Sequence, residues 1–506
     1  MLTRVLSVFT SCVLLFAVGS NLGAAEQQQS AEQQQSAEQK RTVEQQRRSG
    51  PNIIYILADD LGWTDLGCYG SEYYETPHID RLASQGLRLT NYHNCQNCQP
   101  TRAALLSGQY APRTGVYTVG GIERFEWQSR PLRPVDNVAK LPLDIETFAD
   151  RIGATGYATG MFGKWHLGDD PEHHPGRRGF QEAISTNGKH FDFPTNPKTD
   201  YPQGQYLADF LTDQAADFIR RHRDEPFMLY LPHFGVHSPF EAKQEWIAHF
   251  KQKQAAGGHN DPVYAAMIAS VDESVGRIMD LLDELQLADE TVLIFSSDNG
   301  GVGGYTREGI IARDVTDNSP LRSGKGSLYE GGIRTPFIVR WPGKTPEGSR
   351  NDEPTIHVDL YPTLLELAGA AKPDSQTLDG VSLVPIFREP SDSLNREAIY
   401  QHFPGYLGSS NNTWRTTPVS LIHSGAWKLM EFLEDGRLEL YNLEQDLGET
   451  NNLAAEMPDR AAAMHRQLVD WRESVGAKMP TPNENVREAG GRQGRRRANR
   501  AARQGE

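Results

Sequence analysis

Cysteine is scarce in this chain: four occur among 506 residues, and one of them, Cys12, lies in an amino-terminal apolar stretch. Cys68, Cys95 and Cys98 cannot build a four-thiolate zinc site, so the Cys95-Gln96-Asn97-Cys98 pair has no second half to complete one. A redox role, or a secondary disulfide between Cys68 and Cys95, stays open. Positive charge is short as well, with 51 Lys and Arg against 66 Asp and Glu, a net charge of −15. That deficit excludes a general nucleic-acid binder, which needs a basic face to neutralise phosphates. The expected partners are small molecules, or polyanions gripped at a local basic pocket. The apolar stretch Val5 to Val18 is too short and too early for a spanning helix, so no stable membrane insertion is expected.

What is present divides the chain. Arg4, the apolar stretch and the small residues Gly23-Ala24-Ala25 read as a cleavable export signal over residues 1–25, implying a secreted or periplasmic protein. Residues 26–50 repeat Glu-Gln-Gln-Gln-Ser-Ala and bury nothing, so a disordered spacer is expected there. Residues 483–506 form an Arg- and Gly-rich tail centred on Arg495-Arg496-Arg497, read as solvated.

From Pro51 onward short apolar runs alternate with helical patterns, which predicts an α/β fold: a large, mostly parallel sheet sandwiched by helices, over residues 51–395. Expected strands are Asn52 to Ala58, Ala158 to Phe162, Phe227 to Leu231, Val292 to Ser296 and Phe337 to Arg340. A second region, 396–482, carries short strands around Val419 to Ile422, Trp427 to Phe432 and Leu438 to Tyr441, then a helix from about Asp459 to Val475. It reads as a smaller antiparallel sheet with one helix.

The residues after the strands carry the chemistry. Asp59-Asp60 follow the first, Lys164 and His166 the second, His233 and His237 the third, Asp298-Asn299 the fourth. Each alone is explained by capping or turn formation, and His233 reads as structural. In a parallel sheet, however, the carboxyl ends share one edge where ligands bind. Clustered carboxylates repel unless a cation neutralises them, and oxygen ligands select a hard ion, Ca²⁺ with Mg²⁺ as the alternative. Pro100 suits the first turn of a helix ending near Gly108, which places Cys98 and Arg102 near a helix N-terminus that favours an anion.

Cys98-x-Pro100-x-Arg102 followed by Leu106-Ser107-Gly108 resembles the signature of the type I, formylglycine-dependent sulfatases, whose fold is alkaline phosphatase-like. Ser107 stands where that family often has Thr. The resemblance extends from about Pro51 to Met479, through Gly163-Lys164-Trp165-His166-Leu167-Gly168, Val236-His237-Ser238-Pro239, Ser297-Asp298-Asn299-Gly300-Gly301 and Gly324-Lys325-Gly326. It implies conversion of Cys98 to formylglycine by a formylglycine-generating enzyme. It further implies that Asp59, Asp60, Asp298, Asn299 and residue 98 ligate the cation, and that Arg102 steadies the formylglycine. Lys164 and His166 are implied on the nucleophile's side, His237 and Lys325 on the sulfate and the leaving oxygen, and Asp298 as base. His402 and Arg415 are candidate substrate contacts from the second region, and Asn187, Lys189 and His190 are comparable ones. The expected reaction is hydrolysis of sulfate esters, of a sulfated carbohydrate by family habit. A metal-dependent phosphoesterase of the same fold and an inactive sulfated-glycan-binding protein are the alternatives.

Overall fold

Strand β1, Asn52–Ala58, is the centre of the structure, and all seven of its residues are buried. A strand buried on both faces lies inside a sheet covered on both sides, the situation of parallel strands in α/β proteins. The computed structural model describes residues 50–311, 313–408 and 414–486. The export signal, nearly all of the Gln-rich spacer, and the tail beyond residue 486 lie outside the described residues. Asn483, expected to begin the tail, is anchored: its backbone N–H donates to Pro131 O at 2.8 Å and its side chain donates to Gln128 O and Arg130 O.

The other long strands of the main sheet are β2 (Leu87–His93), β3 (Ala158–Gly163), β4 (Glu182–Thr186), β5 (Phe227–Pro232), β6 (Thr291–Ser297) and β7 (Arg334–Arg340). The ten-stranded sheet runs Ser349–Asn351, β2, β7, β6, β1, β5, β3, β4, Thr195–Asn196, with Thr355–Ile356 also on β2. From β6 to β4 the long strands are parallel, whereas β7 is antiparallel to both its neighbours. Because β7 runs backwards, its amino-terminal approach, Gly324 to Ile333, reaches the edge where the parallel strands end.

Alternation along each strand assigns the two faces. Ile54, Ile56, Leu229, Leu231, Leu293 and Phe295 pack under the helices Leu207–Arg221 and Pro262–Glu284. Ile53, Tyr55, Leu57, Met228, Tyr230 and Ile294 pack on the other face with α1, Cys98–Ser107, and the helix Leu360–Ala368. Every residue of α1 is buried, and Gly108 (φ 67°) ends the helix in the left-handed conformation glycine adopts readily.

The second sheet is antiparallel, in the order β8 (Ile399–Phe403), β9 (Val419–Ser424), β10 (Trp427–Phe432), β11 (Arg437–Asn442). One face packs on the helix Pro458–Ser474 through Ile422, Leu429, Leu440, Leu468 and Trp471. The other meets Leu328 and Ile333, the segment leading into β7. A buried charge cluster fastens this contact. Lys428 Nζ lies 2.8 Å from Glu330 Oε1, from Glu449 Oε1 and from the Leu328 carbonyl. Glu330 Oε2 is held in turn by His93 Nε2 at 3.0 Å and Arg334 Nε at 3.1 Å.

Removing one member of a buried ion pair leaves its partner uncompensated, at a cost of about 3–5 kcal/mol. Lys428→Met strands both Glu330 and Glu449, so its urea unfolding curve should show a loss of that size. An unchanged midpoint would mean that the cluster does not hold the second sheet in place.

Candidate active site

Four adjacent strands, β6, β1, β5 and β3, end side by side, and each delivers polar residues to the same place. The ladder continues into the loops: the Asp59 amide donates to Gly235 O at 2.9 Å and the Asp298 amide to Ala58 O at 3.1 Å. Asp60 and His166 both adopt φ of 66°, a conformation that costs energy for a side-chain-bearing residue and turns it out of the strand path. Gly163 (φ 136°) lets β3 pass beside β5, since a Cβ there would sit 1.9 Å from Pro232 O. A Cβ on Gly300 would similarly meet Gly331 O at 1.9 Å, so the loop after β6 and the approach to β7 touch backbone to backbone.

Three carboxylates and three cations meet in this space. Lys164 pairs with Asp59 Oδ2, and both are buried. Arg102, wholly buried, donates twice to Asp298 Oδ2 at 2.9 and 2.8 Å and once to Lys164 O at 2.6 Å. Lys325 Nζ lies 2.5 Å from Asp60 Oδ1. Asn299 Nδ2 donates to Asp60 Oδ1 at 2.9 Å, and His237 Nε2 is 3.7 Å from Asp60 Oδ2. Cys98, the first residue of α1, has its Sγ 3.4 Å from His166 Nδ1. One ligand atom each from Asp59, Cys98 and Asp298 falls within 4.8 Å of the others, and so does one each from Asp59, Asp60 and His237.

The orphaned atoms point to a cation. Asp59 Oδ1 and Asn299 Oδ1 are buried without a hydrogen-bond partner, a costly state unless something else binds them. The six charges cancel formally, so a divalent ion would leave the pocket two charges positive, a field suited to an anionic ester. The donor chemistry, carboxylate and amide oxygens, fits a hard divalent ion.

Titration follows from the same crowding. Burial and the Asp59 charge push Asp298 up to about 7, against the pull of Arg102 and Lys164. Burial also penalises the Asp59 charge, but Lys164, His237 and Arg102 outweigh it and hold Asp59 well below the usual carboxylate range. Two acids this close separate in opposite directions. Burial, then Lys164 and Arg102, drive His166 well below its ordinary value, so it is neutral at neutral pH. Burial raises the Cys98 thiol against the pull of Lys164 and Lys325. A thiol held in its neutral form is poorly suited to act as a thiolate nucleophile.

The structure thus brings together Asp59, Asp60, Cys98, Arg102, Lys164, His166, His237, Asp298, Asn299 and Lys325. It does not bring His402. That residue lies in β8 rather than a loop, with Nδ1 2.7 Å from Ser420 Oγ and Nε2 2.9 Å from Lys478 O, which leaves neither nitrogen for a substrate. Arg415 lies in the short strand Trp414–Thr416, packed beside Gly326. His190 is a buried support whose Nε2 lies 2.8 Å from the His237 carbonyl, and His233 is buried against Ser274. Cys68 and Cys95 are free thiols. Tyr264 and Tyr305 went unread in the sequence. The Tyr264 hydroxyl donates to Asp60 O (3.2 Å) and to Asp65 Oδ2 (2.7 Å), and that of Tyr305 donates to Lys325 O (2.6 Å). Neither belongs to a spaced motif, and only the fold brings them to the site.

Fold and site together define a hydrolase of anionic esters. The chain belongs to the sulfatase family, whose model matches residues 51–370, and it is a sulfuric ester hydrolase. Residues 324–474 also match the C-terminal region of N-sulphoglucosamine sulphohydrolase. Sulfatases of this family generally use a formylglycine and a divalent metal. A sulfatase of Formosa agariphila is 35% identical over 503 residues, covering 83% of this chain and 88% of that protein. Human N-acetylgalactosamine-6-sulfatase is 30% identical, covering 72% and 73%. The crystal structure of Ps i-CgsB in complex with k-i-k-neocarrahexaose superposes with a TM-score of 0.70 at 28% identity, over 87% of this chain and 94% of that one. Among the described residues no helix is long and apolar enough to cross a membrane.

Burial lowers His190, His233 and His402 to about 4. A histidine whose folded value lies below its unfolded value of about 6.5 binds fewer protons when folded, so stability rises with pH across that interval. Its contribution is complete above about 6.5 and is lost as pH falls toward 4. Urea midpoints should therefore drop over this window, and drop less in His402→Gln; equal drops in variant and parent would remove His402 from the account.

Proposed function

We propose that the chain hydrolyses the sulfate ester of a sulfated carbohydrate with a nucleophile made from Cys98, after oxidation by a formylglycine-generating enzyme. One observation carries this reading: Cys98 opens a buried helix, 3.4 Å from His166 and within 4.8 Å of Asp59 and Asp298 ligand atoms, with Arg102 one turn further on. Hydrated to a geminal diol, residue 98 supplies two hydroxyls on one carbon, one to attack sulfur and one whose deprotonation expels sulfate. Asp59, Asp60, Asp298 and Asn299, with residue 98, would hold a divalent cation, and a cage of three carboxylates and an amide suits Ca²⁺, with Mg²⁺, which binds through one or two carboxylates and keeps its waters, as the alternative. When bound, the cation would supply positive charge to stabilise the sulfate.

The chain's own residues do the rest. Arg102 holds Asp298 Oδ2, while Oδ1, which accepts the Asp60 amide at 3.2 Å, is the oxygen that takes the proton of the attacking hydroxyl. His166, neutral and beside residue 98, takes the proton of the second hydroxyl. Lys164 and Lys325 bind the sulfate by charge, and His237 with Lys325 protonates the leaving alcohol oxygen. The sulfated-sugar assignment is supported by relatives named N-acetylgalactosamine-6-sulfatase and by the k-i-k-neocarrahexaose in complex with Ps i-CgsB. Export is supported by the order of residues 1–25, and a boundary near Arg396 between catalytic and closing regions by the start of the second sheet at Ile399.

Active protein should turn over 4-nitrophenyl sulfate, and its residue-98 peptide should carry an aldehyde that reacts with a hydrazide. Cys98→Ala should abolish turnover without unfolding the chain. Cys98→Ser should stop after one turnover, because serine lacks the second hydroxyl; repeated turnover by the Ser variant would favour the phosphoesterase alternative.

Asp298→Asn removes a ligand and the proposed base together. A loss of about a hundredfold or more in kcat is expected from removal of a general base alone. A variant within a few-fold of the parent would place the base elsewhere.

A further inference from the structure

A cleft of about 740 Å³ opens between the segments 304–310 and 320–323 and the second sheet, beside the Lys325 turn, with Arg307, Arg322, Trp414, Arg415 and Phe432 in its wall. Two acids, Glu308 and Glu449, also line it, but both are already matched. Glu308 Oε1 lies 3.3 Å from Arg322 Nε, and Glu449 Oε1 lies 2.8 Å from Lys428. Arg307 is likewise engaged, 3.3 Å from Asp317 and 2.6 Å from Ser319 Oγ. Arg415 differs. It pairs with no carboxylate among the described residues, and its Nε is buried with no partner. Its guanidinium is held instead over the Tyr305 ring, 4.5 Å from the centroid. Arginine on an aromatic face keeps its charge and most of its N–H groups for a further ligand.

This arginine stands next to the catalytic lysine. Tyr305, on which it rests, donates to Lys325 O at 2.6 Å, and Arg415 Cδ lies 3.2 Å from the position of a Cβ on Gly326. Trp414, in the same wall, is held by Tyr406 and by Arg130 over its ring. In a chain of net charge −15, an arginine in a cleft beside the site, unmatched among the described residues, is a local basic pocket.

We propose that Arg415 binds a second anionic substituent, a sulfate or carboxylate on a sugar unit neighbouring the one that loses its sulfate, so that the enzyme prefers multiply charged glycans. The inference rests on the sulfated-carbohydrate reading for the nature of the substrate, not for the geometry of the cleft. It goes beyond the reaction itself, which requires one sulfate only.

The test uses the full chain bearing the residue-98 aldehyde, with 4-nitrophenyl sulfate as reporter and two inhibitors, short-chain dextran sulfate and inorganic sulfate. In Arg415→Gln the inhibition constant for dextran sulfate should rise about tenfold, the loss of one charge-assisted contact, and at least fivefold more than that for sulfate. Arg415→Lys, which keeps the charge but not the fork, should recover part of the difference, with thermal midpoints checking that both variants fold. A parallel rise for both inhibitors would overturn the proposal, because Arg415 would then act only by shaping the Lys325 turn. No rise for either would overturn it as well. A parent that leaves 4-nitrophenyl sulfate intact would sink the hydrolytic reading; direct binding of labelled dextran sulfate to parent and Arg415→Gln then decides this one, since their carboxy-terminal arginines are the same.

Discussion

Three buried carboxylates at the ends of adjacent strands are the constraint on which the rest of the structure depends. Asp59, Asp60 and Asp298 stand at the ends of β1 and β6, which pair residue for residue from Asn52–Thr291 to Ala58–Ser297. Charges taken from water at such short range destabilise a fold unless each is matched. Arg102, Lys164 and Lys325 supply the matching charges from three other segments. The helix Cys98–Ser107 is buried along its whole length so that Arg102 can reach Asp298, and the same placement sets Cys98 at the mouth of the carboxylate group. Stability and chemistry therefore draw on the same six side chains.

Lys325 is the member of that set with the longest supply line. Its turn is not part of the parallel sheet; it precedes β7, the strand that runs the other way. The Tyr305 hydroxyl holds the Lys325 carbonyl, and two contacts hold the segment that follows it: the backbone approach of Gly300 to Gly331, and the buried Lys428 cluster, which reaches Leu328 and Glu330 from the second sheet. The second sheet thus acts on the active site through its grip on this turn, and the cleft beside Arg415 forms along the same contact. A charge cluster suits the task because its geometry is specific in a way an apolar contact is not, although the energetic return on such a cluster comes mainly from its being complete.

Much of this was legible in one dimension. The strands Asn52 to Ala58 and Trp427 to Phe432 run as their apolar patterns require, and the other expected strands differ by one to three residues at their ends. Local signals suffice there, because burial on both faces demands a continuous apolar run and Gly108 stops a helix wherever it falls. The polar residues after the strands were legible for the same reason: a parallel sheet gathers its carboxyl ends at one edge whatever its strand order. His402, a candidate substrate contact in the sequence, is buried within β8. Only the pairing of β8 with β9 sets it against Ser420.

By itself, then, the sequence determined which elements form, which polar residues follow the strands at the edge they share, and that Cys98 begins a helix carrying Arg102 one turn later. These follow from periodicity, turn chemistry and spacing, all of which act over a few residues. Tertiary structure alone decided strand order, the reversed direction of β7, the pairing of each acid with its cation, and the supports Tyr264 and Tyr305. It also decided that Arg415 faces a cleft with no carboxylate paired to it among the described residues. These properties depend on contacts between residues as much as 265 positions apart, as in Lys325 with Asp60, and a contact of that range leaves no periodic trace in the sequence.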